Sequence, residues 1–366
     1  MKVVHVVGTG TIGEPLIGLL VRHKDKFGID EVTFHKNTPL RHDITKVKQL
    51  LDRGARLSTD FDKFDGFKEL GVTPEFTREE AIARSMVVID CTPKGIGLQN
   101  KREYYDKYKD SIKGFIAQGS EFGFGKMYAR GITELVEDDQ FVHVVSCNTH
   151  NIAALIKSFE NRFSSASPGG VLSGDFVCLR RANDISQDSG FIPGIQAGSH
   201  NDDEFGTHHA RDAFHLIKDD FRHIKLYSSA VKLNTQYMHA IRFAITLDSV
   251  NSNMVNTPED ALCKLRDNPM VALTDKMTSN KVFSFGRDYG LYGRILSQTV
   301  VCAPTVAVRK VDTAYKSKNT VVTGLCFTPQ DGNSLLSSIA ATLHFLDQNT
   351  VEERLSCYNP YIFQEI

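Results

Sequence analysis

The spacing of apolar positions changes along this chain, and the changes mark out its elements. Val3-Val4-His5-Val6-Val7 is a short run dominated by β-branched residues, the type that suits a buried strand. From Ile12 the period lengthens: Ile12, Leu16, Leu19 and Leu20 fall on one helix face, with Pro15 near the first turn, where a missing N–H does no harm. The cycle then repeats. Glu31-Val32-Thr33-Phe34, 86–91, 115–118 and 141–145 read as strands, while 78–84 and 101–112 read as helices. Strands alternating with helices predict a parallel, doubly wound sheet, in which ligands bind outside the carboxyl ends of the strands. Gly8, Pro93, Gln118 and Cys147 all fall at such ends.

The second half follows a different pattern. Phe176-Val177-Cys178-Leu179 runs into Arg180-Arg181, and Ile241, Phe243, Ile245 and Leu247 alternate with Arg242, Ala244 and Thr246, as in a half-buried strand. Further strand-like runs cover 299–301, 305–308 and 321–327. Few helices intervene, so a mostly antiparallel sheet covered on one side is expected. Segments 164–173 and 186–207, rich in Gly, Ser, Asp and Pro, read as surface loops. Helical spacing returns at 335–343, with Asn333 or Ser334 available as N-cap. The expected fold class is α/β: an N-terminal Rossmann doubly wound parallel sheet plus a second α+β catalytic domain with a mostly antiparallel sheet. The expected domains are 1–147, which binds a dinucleotide, 148–330, which carries catalysis, and a C-terminal helix in 331–366 that returns to the first domain.

Composition narrows the function classes. The 366 residues are 41% hydrophobic and 24% charged, enough for a sizeable core in two domains. Lys and Arg number 43 against 44 Asp and Glu, so the whole chain has no charge excess to draw it to nucleic acid or an anionic membrane. Seven scattered cysteines without a CxxC pair predict neither a disulfide framework nor a metal site, and most should be small buried hydrophobes. The chain runs from Met1 straight into a strand, and no apolar stretch reaches the length of about eighteen residues that a spanning helix needs. The expected location is cytoplasmic.

The local chemistry is more specific. Gly8-Thr9-Gly10-Thr11-Ile12-Gly13 lies between the first strand and the first helix, where glycines let the backbone approach a pyrophosphate seated on the helix N-terminus. Gly8, Gly10, Thr11, Ile12 and Gly13 are therefore the candidate cofactor residues, with Ser120 on a neighbouring loop. The second strand ends in His35-Lys36-Asn37-Thr38 instead of the carboxylate that holds the ribose 2′-hydroxyl of NAD. Lys36 suits a 2′-phosphate, so NADP is the expected cofactor, with NAD also accepted.

Ser146-Cys147-Asn148-Thr149 follows the strand 141–145 and places a thiol among small polar residues, as a nucleophile beside a redox cofactor requires. The expected chemistry is oxidoreduction of an aldehyde or acyl group through a thioester. Such a thiol needs a base or cation nearby. His150, three residues beyond Cys147, competes for that role. For an anionic substrate Arg180 and Arg181 offer planar donors, and His208, His209 and Arg211 could converge from a loop.

Read together, the glycine loop, Thr92-Pro93-Lys94-Gly95-Ile96-Gly97, Gln118-Gly119-Ser120-Glu121, Val144-Val145-Ser146-Cys147-Asn148-Thr149, Leu179-Arg180-Arg181, His208-His209-Ala210-Arg211-Asp212 and Met238-His239 resemble the archaeal-type (class II) glyceraldehyde-3-phosphate dehydrogenases, in order and over most of the chain. The resemblance implies that Cys147 attacks the aldehyde and that phosphate cleaves the resulting thioester. It also implies that His239 assists, that Arg181 lies near the cofactor, that Ser146, Asn148, His209 and Ala210 surround the triose phosphate, and that the protein is a homotetramer. This chain departs from the family around the substrate. His150-Asn151-Ile152-Ala153-Ala154 stands where the family has Thr-Gly-Leu-Cys-Arg, Ile241 replaces a histidine, and Ala210-Arg211 replaces Gly-Pro. Three alternatives stay open: a CoA-acylating semialdehyde dehydrogenase or acyl-CoA reductase, such as malonyl-CoA or succinyl-CoA reductase, a phosphorylating enzyme acting on another semialdehyde, and a nucleotide-sensing protein without catalysis.

Overall fold

The computed structural model describes residues 1–160, 170–183, 192–235, 238–248, 255–290, 298–312, 318–329 and 332–366. Two compact units emerge. One comprises Met1–Arg130, Glu134–Val145 and Ser334–Asn359; the other comprises Gly131–Thr133, Ser146–Asn333 and Pro360–Ile366.

The first unit is built on eight strands: β1 (Val3–Val7), β2 (Glu31–His35), β3 (Arg56–Thr59), β4 (Phe76–Thr77), β5 (Val87–Asp90), β6 (Gly114–Gly119), β7 (Lys126–Tyr128) and β8 (Phe141–Val145). Their order is β4-β3-β2-β1-β5-β6-β8-β7, and every pairing is parallel. Helices on both faces explain why β1 and β5 are buried at every position. The chain reverses its direction of travel between β1 and β5, which leaves a crevice at their carboxyl ends. The helix Gly332–Asp347 packs closely on β6, and a Cβ at Gly114 would stand 2.1 Å from the Phe345 ring. Arg130 ties down the C-terminal segment through its backbone N–H to Ser337 Oγ at 3.1 Å and its guanidinium to Glu352 at 2.7 Å.

The second unit holds β9 (Val171–Arg180), β10 (Gln196–Ala197), β11 (Lys225–Lys232), β12 (His239–Leu247), β13 (Val271–Thr274), β14 (Thr299–Cys302), β15 (Ala307–Asp312) and β16 (Lys318–Thr328). They form a mixed sheet in the order β10-β11-β9-β12-β16-β14-β13, with β15 beside β16. Its central pairings, β9 with β12 and β12 with β16, are antiparallel, as are β14 and β15 with β16. Only β9 with β11 and β13 with β14 run parallel among the described strands. A parallel sheet followed by a mostly antiparallel one is the expected fold class.

Several boundaries differ from the sequence expectation. The helix placed at 101–112 starts earlier, at Ile96–Glu103, and gives way to a 3-10 turn at Tyr105–Tyr108. Residues 303–305 form a 3-10 turn around Pro304, so the strand expected at 305–308 begins at Ala307. The last helix already begins at Gly332, which puts Asn333 and Ser334 inside it. Of the two expected loops, 164–169 and 186–191 lie outside the described residues, whereas Val171–Ser173 is already strand β9 and Gln196–Ala197 is strand β10. Besides Cys147–Phe159, likewise unforeseen, the second unit carries three more helices, His208–Phe221, Pro258–Arg266 and Ser279–Arg287. Each is started by a threonine whose side chain accepts a backbone N–H of the first turn. No helix among the described residues is long and apolar enough to cross a membrane.

Candidate functional site

In the first unit the glycine loop has the shape a dinucleotide requires. Gly8 has φ +96°, and a Cβ there would meet the Cys91 carbonyl oxygen at 3.1 Å. At Gly13 a Cβ would lie 2.0 Å from the Gly8 carbonyl oxygen, so only glycine permits this closeness of loop and helix. Gly8 N–H donates to the His35 carbonyl at 3.0 Å, which locks the loop to the end of β2. The helix Gly13–Arg22 follows, and no side chain caps its start at Ile12. A tight glycine turn that leads into a helix N-terminus without a side-chain cap fits a pyrophosphate.

The neighbouring loops are held by buried carboxylates. Asp90, at the end of β5, accepts from Thr92 N–H at 2.9 Å, Asn100 Nδ2 at 2.8 Å and Tyr105 Oη at 2.6 Å. Glu121, 1% exposed, accepts the N–H groups of Gly95 and Leu98 at the start of the helix Ile96–Glu103. Burial raises its pKa, opposed by those two backbone donors. Ser120 stands half-buried just before it.

The Lys36 ammonium donates to Asp43 Oδ2 at 2.7 Å, so the charge expected at the end of β2 is shared with a carboxylate. Lys46, which the sequence reading missed, lies 3.3 Å from the same carboxylate and 3.4 Å from the Thr9 carbonyl oxygen of the glycine loop. Burial favours protonation of Asp43, but the Lys36 hydrogen bond and both lysine charges outweigh it and hold the pKa low. Two cations and one anion leave the cluster net positive.

In the second unit Cys147 is the first residue of the helix Cys147–Phe159, with Ser146 in extended conformation as its N-cap. The thiol is half-buried, whereas Asn148, Thr149, His150 and Asn151 are buried. Backbone N–H groups and the helix dipole favour a negative charge at this end. Asn148 Oδ1 is buried without a hydrogen-bond partner among the described residues. His150 Nδ1 is 3.1 Å from the Ser146 carbonyl oxygen, which can only accept, so this nitrogen carries a proton. Other thiols are poorer nucleophiles: burial pushes Cys91 up strongly and Cys178 up to about 12.

A buried network runs from this helix into the sheet. Asn151, one turn beyond Cys147, donates from Nδ2 to Thr328 Oγ1 at 2.6 Å and accepts from Asn333 Nδ2 at 3.0 Å. Thr328 is the ladder partner of His239, and His239 Nδ1 accepts the Arg181 backbone N–H at 3.1 Å. Cys147, His239 and Arg181 are thus tied through Asn151 and Thr328, two residues the sequence reading did not single out. Burial, then the Arg181 and Arg180 charges, hold the His239 pKa well below its ordinary value. Arg181 is 3% exposed, whereas Arg180 is on the surface.

Two expected anion ligands are otherwise engaged. Ala210 is fully buried, and its N–H donates to Ser228 Oγ at 3.1 Å. Arg211 places Nε and one terminal nitrogen on Asp212 Oδ1, at 3.0 and 2.8 Å. The cause is local: Thr207 and Ser228, linked at 2.6 Å, satisfy the first turn of His208–Phe221 from within. His209 is buried, with its ring 4.0 Å from that of His208. Among the described residues no group of three metal-ligating side chains is found.

Comparison with known proteins agrees with the motif order. The chain is 28% identical over 262 residues to a protein of Pyrobaculum islandicum named glyceraldehyde-3-phosphate dehydrogenase, covering 70% of this chain and 71% of the relative. It is similar to archaeal glyceraldehyde-3-phosphate dehydrogenases. The proteins of that name from Metallosphaera sedula, 26% identical over 84% of each chain, and Sulfolobus acidocaldarius, 25% identical over 81% of each, extend the similarity. No protein-family model matches the chain.

Proposed function

We propose that this protein is a phosphorylating glyceraldehyde-3-phosphate dehydrogenase that oxidises its aldehyde through a thioester on Cys147, reversibly and with NADP preferred over NAD. The observation that carries the reading is Cys147 as the half-buried first residue of a 13-residue helix. That position supplies a thiolate without an adjacent base. When bound, the nicotinamide dinucleotide supplies the hydride acceptor. Gly8, Gly10, Thr11, Ile12 and Gly13 would hold its pyrophosphate, with Ser120 and Arg181 also serving the cofactor. The net positive Lys36, Asp43 and Lys46 cluster favours a 2′-phosphate. Ser146 and Asn148 would flank the reacting carbon, and Arg180 and His209 would draw the substrate's phosphate. The buried, partnerless Asn148 Oδ1 supports a polar ligand there.

A second reading keeps the thioester and releases it to a CoA thiol. The engaged Ala210 N–H and Arg211 guanidinium favour it, because both are lost to a triose phosphate. The test is NADP reduction with glyceraldehyde 3-phosphate and inorganic phosphate, set against NADPH oxidation with malonyl-CoA or succinyl-CoA. Turnover in the first supports the proposal, and turnover confined to the second replaces it. Dinucleotide binding without turnover in either would make the chain a nucleotide-sensing protein. A homotetramer in the cytoplasm completes the proposal, and light scattering of the purified chain checks the assembly.

A further inference from the structure

We propose that Glu121 is a positioning residue for the dinucleotide: its carboxylate occupies the N-terminus of the helix Ile96–Glu103 as a built-in anion and so holds the loop 92–97 in place beside the glycine loop. The inference rests on the first unit being the dinucleotide site and assigns this carboxylate a part in it. It begins with a comparison of two helices. Gly13–Arg22 follows β1 and Ile96–Glu103 follows β5, so both start at the strand ends where the crevice lies. Backbone N–H groups at each start attract anions. No side chain caps the first helix at Ile12. At the other, Glu121 Oε1 accepts the Gly95 N–H and Oε2 accepts the Leu98 N–H at 2.9 Å.

This second seat is fitted to a carboxylate. The first turn of Ile96–Glu103 holds no acidic residue of its own, so the anion arrives from beyond β6, 26 positions after Gly95. Gly97 leaves room for it, since a Cβ there would lie 3.1 Å from both the carboxyl carbon and Oε2 of Glu121. Glu121 is buried, and two charge-assisted bonds to backbone donors hold its carboxylate more firmly than a neutral acceptor would be held.

The other end of the loop meets the glycine loop. A Cβ at Gly8 would stand 3.1 Å from the Cys91 carbonyl oxygen and 3.5 Å from the Thr92 nitrogen. Thr92 N–H donates to Asp90 Oδ1 at 2.9 Å, and Ile96 N–H donates to the Pro93 carbonyl at 3.0 Å. Asp90 thus pins the loop where it leaves β5, and Glu121 pins it where the helix begins. A segment fixed at both ends keeps Cys91 against Gly8 and preserves the turn that would receive the pyrophosphate. Filling one helix start from within the chain leaves the uncapped start at Ile12 as the seat for the ligand.

The test measures NADP binding by calorimetry, without turnover, to the full chain as wild type, Glu121→Ala and Glu121→Gln. Glu121→Ala is expected to weaken binding about tenfold or more. Acetate at about 100 mM should then strengthen binding by that variant at least about threefold, because it fills the vacated seat, whereas chloride at the same concentration should not. Solvent can reach the seat, as Lys94, Gly95 and Ile96 are exposed. Glu121→Gln keeps the shape but sets an amide NH2 against a backbone donor, so binding should weaken at least about threefold with no response to acetate. A residue that only stabilises the fold would lower the melting temperature of both variants and leave NADP affinity as it is. That result overturns the inference, as does a loss in Glu121→Ala that acetate leaves unchanged. A wild type that binds no NADP would instead defeat the reading of the glycine loop.

Discussion

Cys147 combines three properties that no other cysteine of the chain brings together: partial exposure, the first position of a long helix, and a buried polar network one turn away. Cys147→Ser should lower turnover by at least about a thousandfold while leaving dinucleotide affinity nearly unchanged, because a hydroxyl of almost equal size is a far weaker nucleophile. Steady-state rates and a binding titration on the same preparation check this, and a near-wild-type rate would refute it. At Lys36 the expected change is one of selectivity. Lys36→Glu removes one of two cations and sets a second carboxylate beside Asp43, so the NADP to NAD ratio of kcat/KM should fall at least about tenfold. The glycine loop and the thiol were legible in the sequence because each is a contiguous motif. Lys46, Asn151 and Thr328 were not, since their roles depend on partners distant in sequence: Thr9 for Lys46, and for Asn151 a threonine 177 positions away. The engagement of the Ala210 N–H was hidden for a related reason, because Ser228, which accepts it, lies on the strand β11.

At the level of elements, strand, glycine loop and helix form one device. Gly13→Ala must move the Gly8 carbonyl, which is backbone and cannot swing away. Dinucleotide affinity is expected to fall by at least about tenfold, with a lower melting temperature, and calorimetry on the variant reads both. The parallel sheet was legible because a strand buried on both faces reads as a continuous apolar run. The second unit was harder, since its helices carry mixed faces that break the apolar period. One of them left a readable signal all the same: Thr257-Pro258-Glu259-Asp260 forms a complete capping box with proline at the helix start. Thr257→Ala should cost about 1 kcal/mol of stability, measurable by urea unfolding.

Across the whole molecule, the first unit buries three histidines that the proposed chemistry does not use, His5, His35 and His143, and the first two carry strongly lowered pKa values. His5 Nδ1 pairs with Thr33 Oγ1 at 2.7 Å, and His35 Nδ1 lies 3.2 Å from Ser58 Oγ. Burial first, then His35 and Arg78 for His5 and Arg78 for His35, lowers both pKa values to about 3. An unfolded histidine titrates near 6.5, so the folded state resists protons that the unfolded chain accepts between these values. Stability is fully present above that upper value and lost as pH falls below it, by roughly 2 kcal/mol per ring at about pH 5. Urea unfolding at about pH 7.5 and about pH 5 should show the loss, and His5→Asn should reduce it by about half. The account as a whole depends on an acyl group carried by one sulfur. The most direct measurement incubates the protein with glyceraldehyde 3-phosphate and oxidised dinucleotide in the absence of phosphate, then maps the acyl adduct by mass spectrometry. The account predicts a thioester on the Cys147 peptide that forms only with oxidised dinucleotide and disappears when phosphate is added. A protein that turns over with Cys147 unmodified, or with the adduct on another cysteine, would contradict it.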